Sequence, residues 1–180
     1  MDSTILYRKL DEIADTEPLL RWCRKQSLST EYWNGLLTSR LHCWWGKSVT
    51  FAASPSAATF GIFSPVATVQ SGRAFDSTLE ELRDRYYPEA NSALLYFYRP
   101  GASISEHSDK SVFARRVVMI NLMDFPPDLL GEKPLTRFRF EGRNKFLLDG
   151  DVIQFDSRIR HSIPKVKHHR YSLQLRRVIS

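Results

Sequence analysis

The chain has 180 residues, 42% hydrophobic and 12% aromatic, which is enough apolar side chain for one sizeable core and, at this length, for one domain spanning 1–180. No apolar run approaches the roughly 20 residues of a membrane span, and the opening MDSTILYRKLDE lacks the apolar stretch of a secretory signal, so a soluble, intracellular protein is expected. The formal charge of +6 is unevenly placed: residues 133–180 hold 12 Lys or Arg against 4 Asp or Glu, a net of +8, whereas residues 1–132 sum to −2. A basic half of this kind attracts phosphates or acidic partners.

The N-terminal third reads as helical. In TEPLLRWCRKQ, Thr16 suits an N-cap, Glu17 and Pro18 suit the first turn, and Leu19, Leu20 and Cys23 share an apolar stripe. Cys23 and Cys43 are too few for a disulfide framework and lie outside any C-x-x-C pattern, so both are expected as buried thiols. Residues 28–75 form the least regular stretch, rich in Ser, Ala, Thr and Gly yet carrying Tyr32, Trp33, Trp44, Trp45, Phe51, Phe60 and Phe63. A loop-rich region this aromatic is either a second layer of core or a lid over a pocket.

A second capped helix fits DSTLEELRDRYY, with Leu79, Leu82 and Tyr86 at helical spacing. Short apolar runs then follow one another: SALLYFY, RRVVMINLMDF, TRFRFEG, KFLLDG, DVIQFD, HSIPKV and RYSLQLRRVI, most bounded by Gly, Asp or Pro. In RYSLQLR, Arg170, Ser172, Gln174 and Arg176 alternate with Tyr171, Leu173 and Leu175. Many short strands in succession predict an α+β chain built on a sandwich or jelly roll, with the helices packed on one outer face.

The stretch EHSDK places His107 and Asp109 two residues apart at the end of a strand, where positions i and i+2 share a face. His161 opens HSIPKV further on. Two histidines and one carboxylate, in this order, are the donor set of the facial triad of non-haem Fe(II) oxygenases. Three ligands on one face leave three positions open, which a bidentate 2-oxo acid and O2 can share. A closed structural zinc site wants a fourth ligand, most naturally cysteine, and none lies near these strands. Arg170 and Arg176, an even number apart on one strand, face the same pocket and suit the far carboxylate of a dicarboxylic 2-oxo acid.

With those motifs in place, NSALLYFYRPGASISEHSDK, GDVIQFDSRIRHSIPKV and RYSLQLR resemble the AlkB-like branch of the Fe(II)/2-oxoglutarate-dependent dioxygenases. The similarity runs from about residue 90 to 177, and more loosely through SRLHCWWGK, which looks like the Arg-aromatic-Gly segment ahead of that family's nucleotide-recognition lid. The resemblance implies a double-stranded β-helix, with 90–177 as its catalytic jelly roll and 28–75 as a substrate lid. It implies that His107, Asp109 and His161 bind Fe(II), that Tyr98 hydrogen-bonds 2-oxoglutarate, that Arg170 clamps its far carboxylate and that Arg176 sits near its metal-bound end. The family's usual chemistry is oxidative removal of N-methyl groups from nucleic-acid bases. Three positions depart from the pattern. Tyr96 stands where asparagine is common, leaving a co-substrate hydrogen bond to its phenol or to another group; Ser111 stands where repair members carry an acidic residue; and Ser172 stands where some members have asparagine.

The expected activity is thus Fe(II)- and 2-oxoglutarate-dependent demethylation of nucleic acid, with single strands favoured. Trp44, Trp45 and Tyr96 offer stacking surfaces, Arg40 and Ser111 lie near the expected substrate, and Lys165 and Lys167 suit a phosphate track. Two alternatives stand beside it: oxidation of a protein or small molecule by the same iron centre, and a catalytically silent jelly-roll module that binds nucleic acid through its basic half.

Overall fold

A computed structural model describes residues 6–33, 36–52, 66–124 and 135–179. The larger of its two sheets runs, in spatial order, β1 (Tyr7–Glu12), β10 (Asp151–Asp156), β7 (Phe113–Asp124), β12 (His169–Val178), β5 (Ser92–Tyr98), β3 (Leu36–Ala52) and β2 (Ser29–Trp33), with β4 (Val66–Ser71) paired to the far half of β3. The smaller sheet orders β6 (Ile104–His107), β11 (His161–Ile163), β8 (Thr136–Phe140) and β9 (Arg143–Leu147). The strand pairs are antiparallel, and the two sheets face each other as a jelly roll.

Period-two alternation decides what each face does. On the outer face of the larger sheet, Leu95, Ile120 and Leu173 form one buried cluster with Leu19, Leu20 and Cys23 of α1 (Glu17–Arg24) and Leu79 of α2 (Ser77–Tyr86). On the inner face, Leu94, Met119 and Phe155 meet Phe138 and Phe140 of the smaller sheet. Helix α2 starts where Asp76 accepts a 3.0 Å hydrogen bond from the Leu79 amide, an N-cap of about 1 kcal/mol. The α1 cap differs from expectation: the Thr16 side chain makes no cap hydrogen bond and instead donates to Asp149 Oδ2 at 2.7 Å. Both cysteines are free and buried, and burial pushes the Cys43 thiol up to about 12.

The β-helix with helices on one outer face matches the expected fold class. The N-terminal third does not match its helical reading, because among the described residues only α1 is helical there and β1, β2 and much of β3 are strands. Sheet pairing wins over local propensity: β1 is an edge strand held by β10, with half-polar residues and little periodicity of its own. The stretch expected to be irregular is also strand over 29–33, 36–52 and 66–71. Its alternation is masked because both faces of β3 carry aromatic and apolar groups. Gly46, with φ of +67°, divides β3 into a half paired with β5 and a half paired with β4, and an added Cβ there would strike the Asn91 carbonyl. Phe60 and Phe63 lie outside the described residues.

Candidate metal centre and its cavity

Antiparallel pairing of β6 with β11 sets His107 opposite His161, their ring centroids 4.5 Å apart. Asp109 lies just past the end of β6, fixed by its own amide on Ser157 O at 2.8 Å and by Arg158 donating to its carbonyl at 2.9 Å. One donor atom from each of the three residues lies within 4.8 Å of the others. His107 Nε2 and His161 Nε2 stand 3.7 and 4.0 Å from Asp109 Oδ1. In both histidines Nδ1 lies 2.8 Å from a backbone carbonyl, of Ser105 and of Ile159, which fixes the tautomer and leaves each Nε2 lone pair toward the carboxylate. Burial lowers both imidazole pKa values, that of His161 to about 4, so both rings are neutral ligands at pH 7. Burial would raise the Asp109 pKa, but the Arg176 guanidinium, whose Nη1 donates to Oδ2 at 2.5 Å, outweighs it and holds the carboxyl ionised. Two neutral imidazoles and one carboxylate fit a divalent cation of the Fe(II) type.

Behind this cluster, the inner face of β12 presents Arg170, Ser172, Gln174 and Arg176, all buried. Gln174 Oε1 receives Arg176 Nε and Nη2 at 2.9 and 2.6 Å, aiming the remaining Nη1 at Asp109. Arg170 is fully buried; its Nε donates to Asn121 Oδ1 at 2.6 Å and its guanidinium carbon lies 5.0 Å from the Tyr98 ring centroid. Burial pulls its pKa below the ordinary arginine value. Its Nη1 has no hydrogen-bond partner among the described residues. A buried guanidinium N–H without an acceptor is costly, and the far carboxylate of a 2-oxo dicarboxylate is an acceptor of the right shape and charge.

A cavity of about 1060 Å³ opens over His107, Asp109 and His161. Tyr96, Tyr98, Arg40, Trp44 and Arg176 line it, whereas Arg170 lies behind Tyr98 and Met119. Several expected positions fall elsewhere. Trp45 points to the other side of β3, is 3% exposed and packs on Trp22 at 5.2 Å, so it belongs to the helix-side core rather than over the cavity. Ser111 is exposed in a turn away from the lining, and Lys165 and Lys167 are exposed on the loop between β11 and β12. Tyr96 lines the cavity, where its hydroxyl donates to Glu31 Oε1, another lining residue, at 3.0 Å. Glu31, His42, Asn121 and Gln174 were not singled out as site residues from the sequence. A polar residue inside a buried run, as Asn121 is within VVMINLM, was the signal available for Asn121 and Gln174; Glu31 sits in the stretch taken as irregular and carried none.

A double-stranded β-helix with two histidines and an aspartate at one end of its sheets is the class that fold and site define. Two solved structures are similar over nearly the whole chain. OsALKBH1 is 14% identical with a TM-score of 0.60, covering 98% of this chain and 100% of its own. A Pseudomonas putida prolyl-4-hydroxylase is 12% identical with a TM-score of 0.60, covering 98% of this chain and 94% of its own. At such identities the likeness is one of fold. No family model matches the sequence, and no curated protein matches it either.

Proposed function

We propose that the chain is an Fe(II)- and 2-oxoglutarate-dependent dioxygenase that removes N-methyl groups from nucleic-acid bases, with single strands favoured. The observation that carries the oxygenase assignment is the convergence of His107, Asp109 and His161 on one face, backed by a buried arginine with an unanswered N–H. His107, Asp109 and His161 would hold the metal, and Arg170, Tyr98 and Arg176 the co-substrate. Bound together, Fe(II), 2-oxoglutarate and O2 supply oxygen insertion into a C–H bond, with succinate and CO2 formed; an N-hydroxymethyl product then breaks down to the free amine and formaldehyde. The chain's own share is positioning. Gln174 holds Arg176 against Asp109, the two backbone carbonyls keep the imidazoles in the ligating tautomer, and Phe138 and Phe155 wall off the His161 ring at 6.1 and 5.0 Å.

Nucleic acid as substrate is supported by the aromatic and cationic wall of the cavity, where Trp44 and Tyr96 accompany Arg40, and by the exposed Lys165, Lys167, Arg137 and Arg139 outside it. Likeness to OsALKBH1 agrees with it. Equal likeness to a prolyl-4-hydroxylase favours a second reading, oxidation of a protein side chain at the same centre. Succinate and formaldehyde production across methylated DNA, methylated RNA and peptide panels separates them. Formaldehyde released from an oligonucleotide supports demethylation; succinate coupled only to a peptide supports the second reading.

A further inference from the structure

Each of His107, Asp109 and His161 has its far side occupied, and at Asp109 the occupant is itself held by a neighbour. Asp109 Oδ1 faces His107 Nε2 and His161 Nε2, at 3.7 and 4.0 Å, while Oδ2 receives Arg176 Nη1 at 2.5 Å. The two oxygens of one carboxylate are thus divided between two tasks. That division lasts only while the guanidinium stays in place. Its carbon lies 5.0 Å from the Phe113 ring centroid, and its other edge is held by Gln174 Oε1, which accepts from Nε at 2.9 Å and from Nη2 at 2.6 Å. A planar fork anchored along one edge has one direction left in which to aim Nη1.

The chemistry of an amide suits this task. Gln174 stands two residues before Arg176 on β12, so both side chains share the inner face, and both are buried. Only the oxygen end of the amide complements a guanidinium. The nitrogen end finds Ser172 Oγ at 3.3 Å and Met119 Sδ at 3.9 Å, acceptors too weak to hold the residue by themselves. An amide is also uncharged, so the positive charge of Arg176 stays directed at Asp109. A leucine here would continue the apolar packing and leave the Nε–Nη2 edge without an acceptor.

Resting on the oxygenase reading above, we infer that Gln174 is a positioning residue that keeps Asp109 a one-oxygen ligand. With Oδ2 occupied, Asp109 and the two imidazoles take three positions of an octahedral ion and leave three for a chelating oxo acid and O2. Were Arg176 free to swing away, both carboxylate oxygens would close on the ion and one of those positions would be lost.

The test counts exchangeable waters on protein-bound Mn(II), by paramagnetic resonance in isotopically labelled water, alongside titrations of Mn(II) and of 2-oxoglutarate without O2. The wild type is expected to hold three waters and Gln174→Leu two. In that variant 2-oxoglutarate should bind at least about tenfold more weakly while Mn(II) binds no less tightly. A change that merely loosened packing would weaken both together. Gln174→Glu keeps the accepting oxygen and should keep the wild-type water count. Gln174→Asn withdraws that oxygen by one carbon and takes the place of the leucine variant if that one fails to fold. Three waters in Gln174→Leu, a water lost in Gln174→Glu, or a joint loss of both affinities overturns the inference and leaves the oxygenase reading in place. Failure of 2-oxoglutarate to displace water from Mn(II) on the wild type overturns the oxygenase reading and this inference with it.

Discussion

Along β12, Tyr171, Leu173 and Leu175 face the helices while Arg170, Ser172, Gln174 and Arg176 face the smaller sheet, and all of them are buried. The neighbouring strands repeat the division: Leu95 against Tyr96 and Tyr98 on β5, Ile120 and Leu122 against Asn121 on β7. The outer face is close-packed aliphatic surface, contributing on the order of 25 cal/mol per Å² removed from water. The inner face of β12 buries two guanidiniums, one of them with an N–H left unanswered at a cost of about 1–3 kcal/mol. Apolar replacements of the same volume would stabilise such a position more than a charge does. One set of strands therefore holds the molecule together with alternate residues and gives up stability with the others, and two of the latter, Gln174 and Arg176, line the cavity with His107, Asp109 and His161.

Substitutions on each face test that division. The largest effect is expected from Asp109→Asn, which keeps size and a hydrogen bond to Arg176 but removes the one anionic ligand. Fe(II)-stimulated succinate formation should fall at least about 1000-fold, about 4 kcal/mol in the barrier, measured on the folded fraction because the buried Arg176 also loses its counter-charge. Retention of a tenth of the activity would sink the metal role. Leu173→Ala, on the outer face of the neighbouring strand position, should do the opposite. Urea unfolding should show a loss of about 2–5 kcal/mol, while the folded fraction keeps its 2-oxoglutarate KM; a shifted KM would mean the faces are not independent.

The sequence made the inner face of β12 legible because alternation survives where polar and apolar residues take turns, as in RYSLQLR. His107, Asp109 and His161 were legible for a different reason: their residue types and order match a donor set, and pairing of β6 with β11 then brings them together. The wall made by β2 and β3 was not. There Arg40, His42 and Trp44 alternate with Leu41, Cys43 and Trp45, so bulky groups occupy both faces and no period stands out. Trp44 and Trp45 are indistinguishable in sequence yet end on opposite sides of the sheet, one in the cavity and one in the helix-side core. Glu31 acquires its importance only from partners 7, 9 and 65 residues away, Thr38, Arg40 and Tyr96, contacts that a one-dimensional pattern does not display.

A smaller effect is expected at Arg170. Its Nε is held by Asn121, leaving the far side of a planar fork for a carboxylate, and an ammonium cannot keep both contacts. Arg170→Lys should raise the 2-oxoglutarate KM about 10- to 30-fold, about 1.4–2 kcal/mol, with a lesser effect on kcat at saturating co-substrate. Titration of 2-oxoglutarate against succinate formation measures it, and an unchanged KM removes Arg170 from the clamp.

The smallest effect separates the faces by pH. Burial is the main cause of the low His161 pKa, about 4 in the folded chain, against an ordinary value near 6.5. As pH falls below 6.5 the unfolded metal-free chain takes up a proton at His161 that the folded chain refuses until about pH 4. Stability present above pH 6.5 is therefore lost across that window, by about 1 kcal/mol between pH 7.5 and 5.5. His107, also lowered by burial, adds a contribution of the same sign. The depressed pKa of Asp109 acts in the same direction, but its loss begins only below the ordinary carboxylate range and leaves this interval untouched. Urea unfolding of protein treated with a chelator, repeated at pH 7.5, 6.5 and 5.5, measures the slope. His161→Gln should flatten it, whereas Leu173→Ala should lower the whole curve and leave the slope as it was. An equal slope in His161→Gln and the wild type would exclude His161 as the titrating group and leave the slope to His107 or to groups outside the cluster.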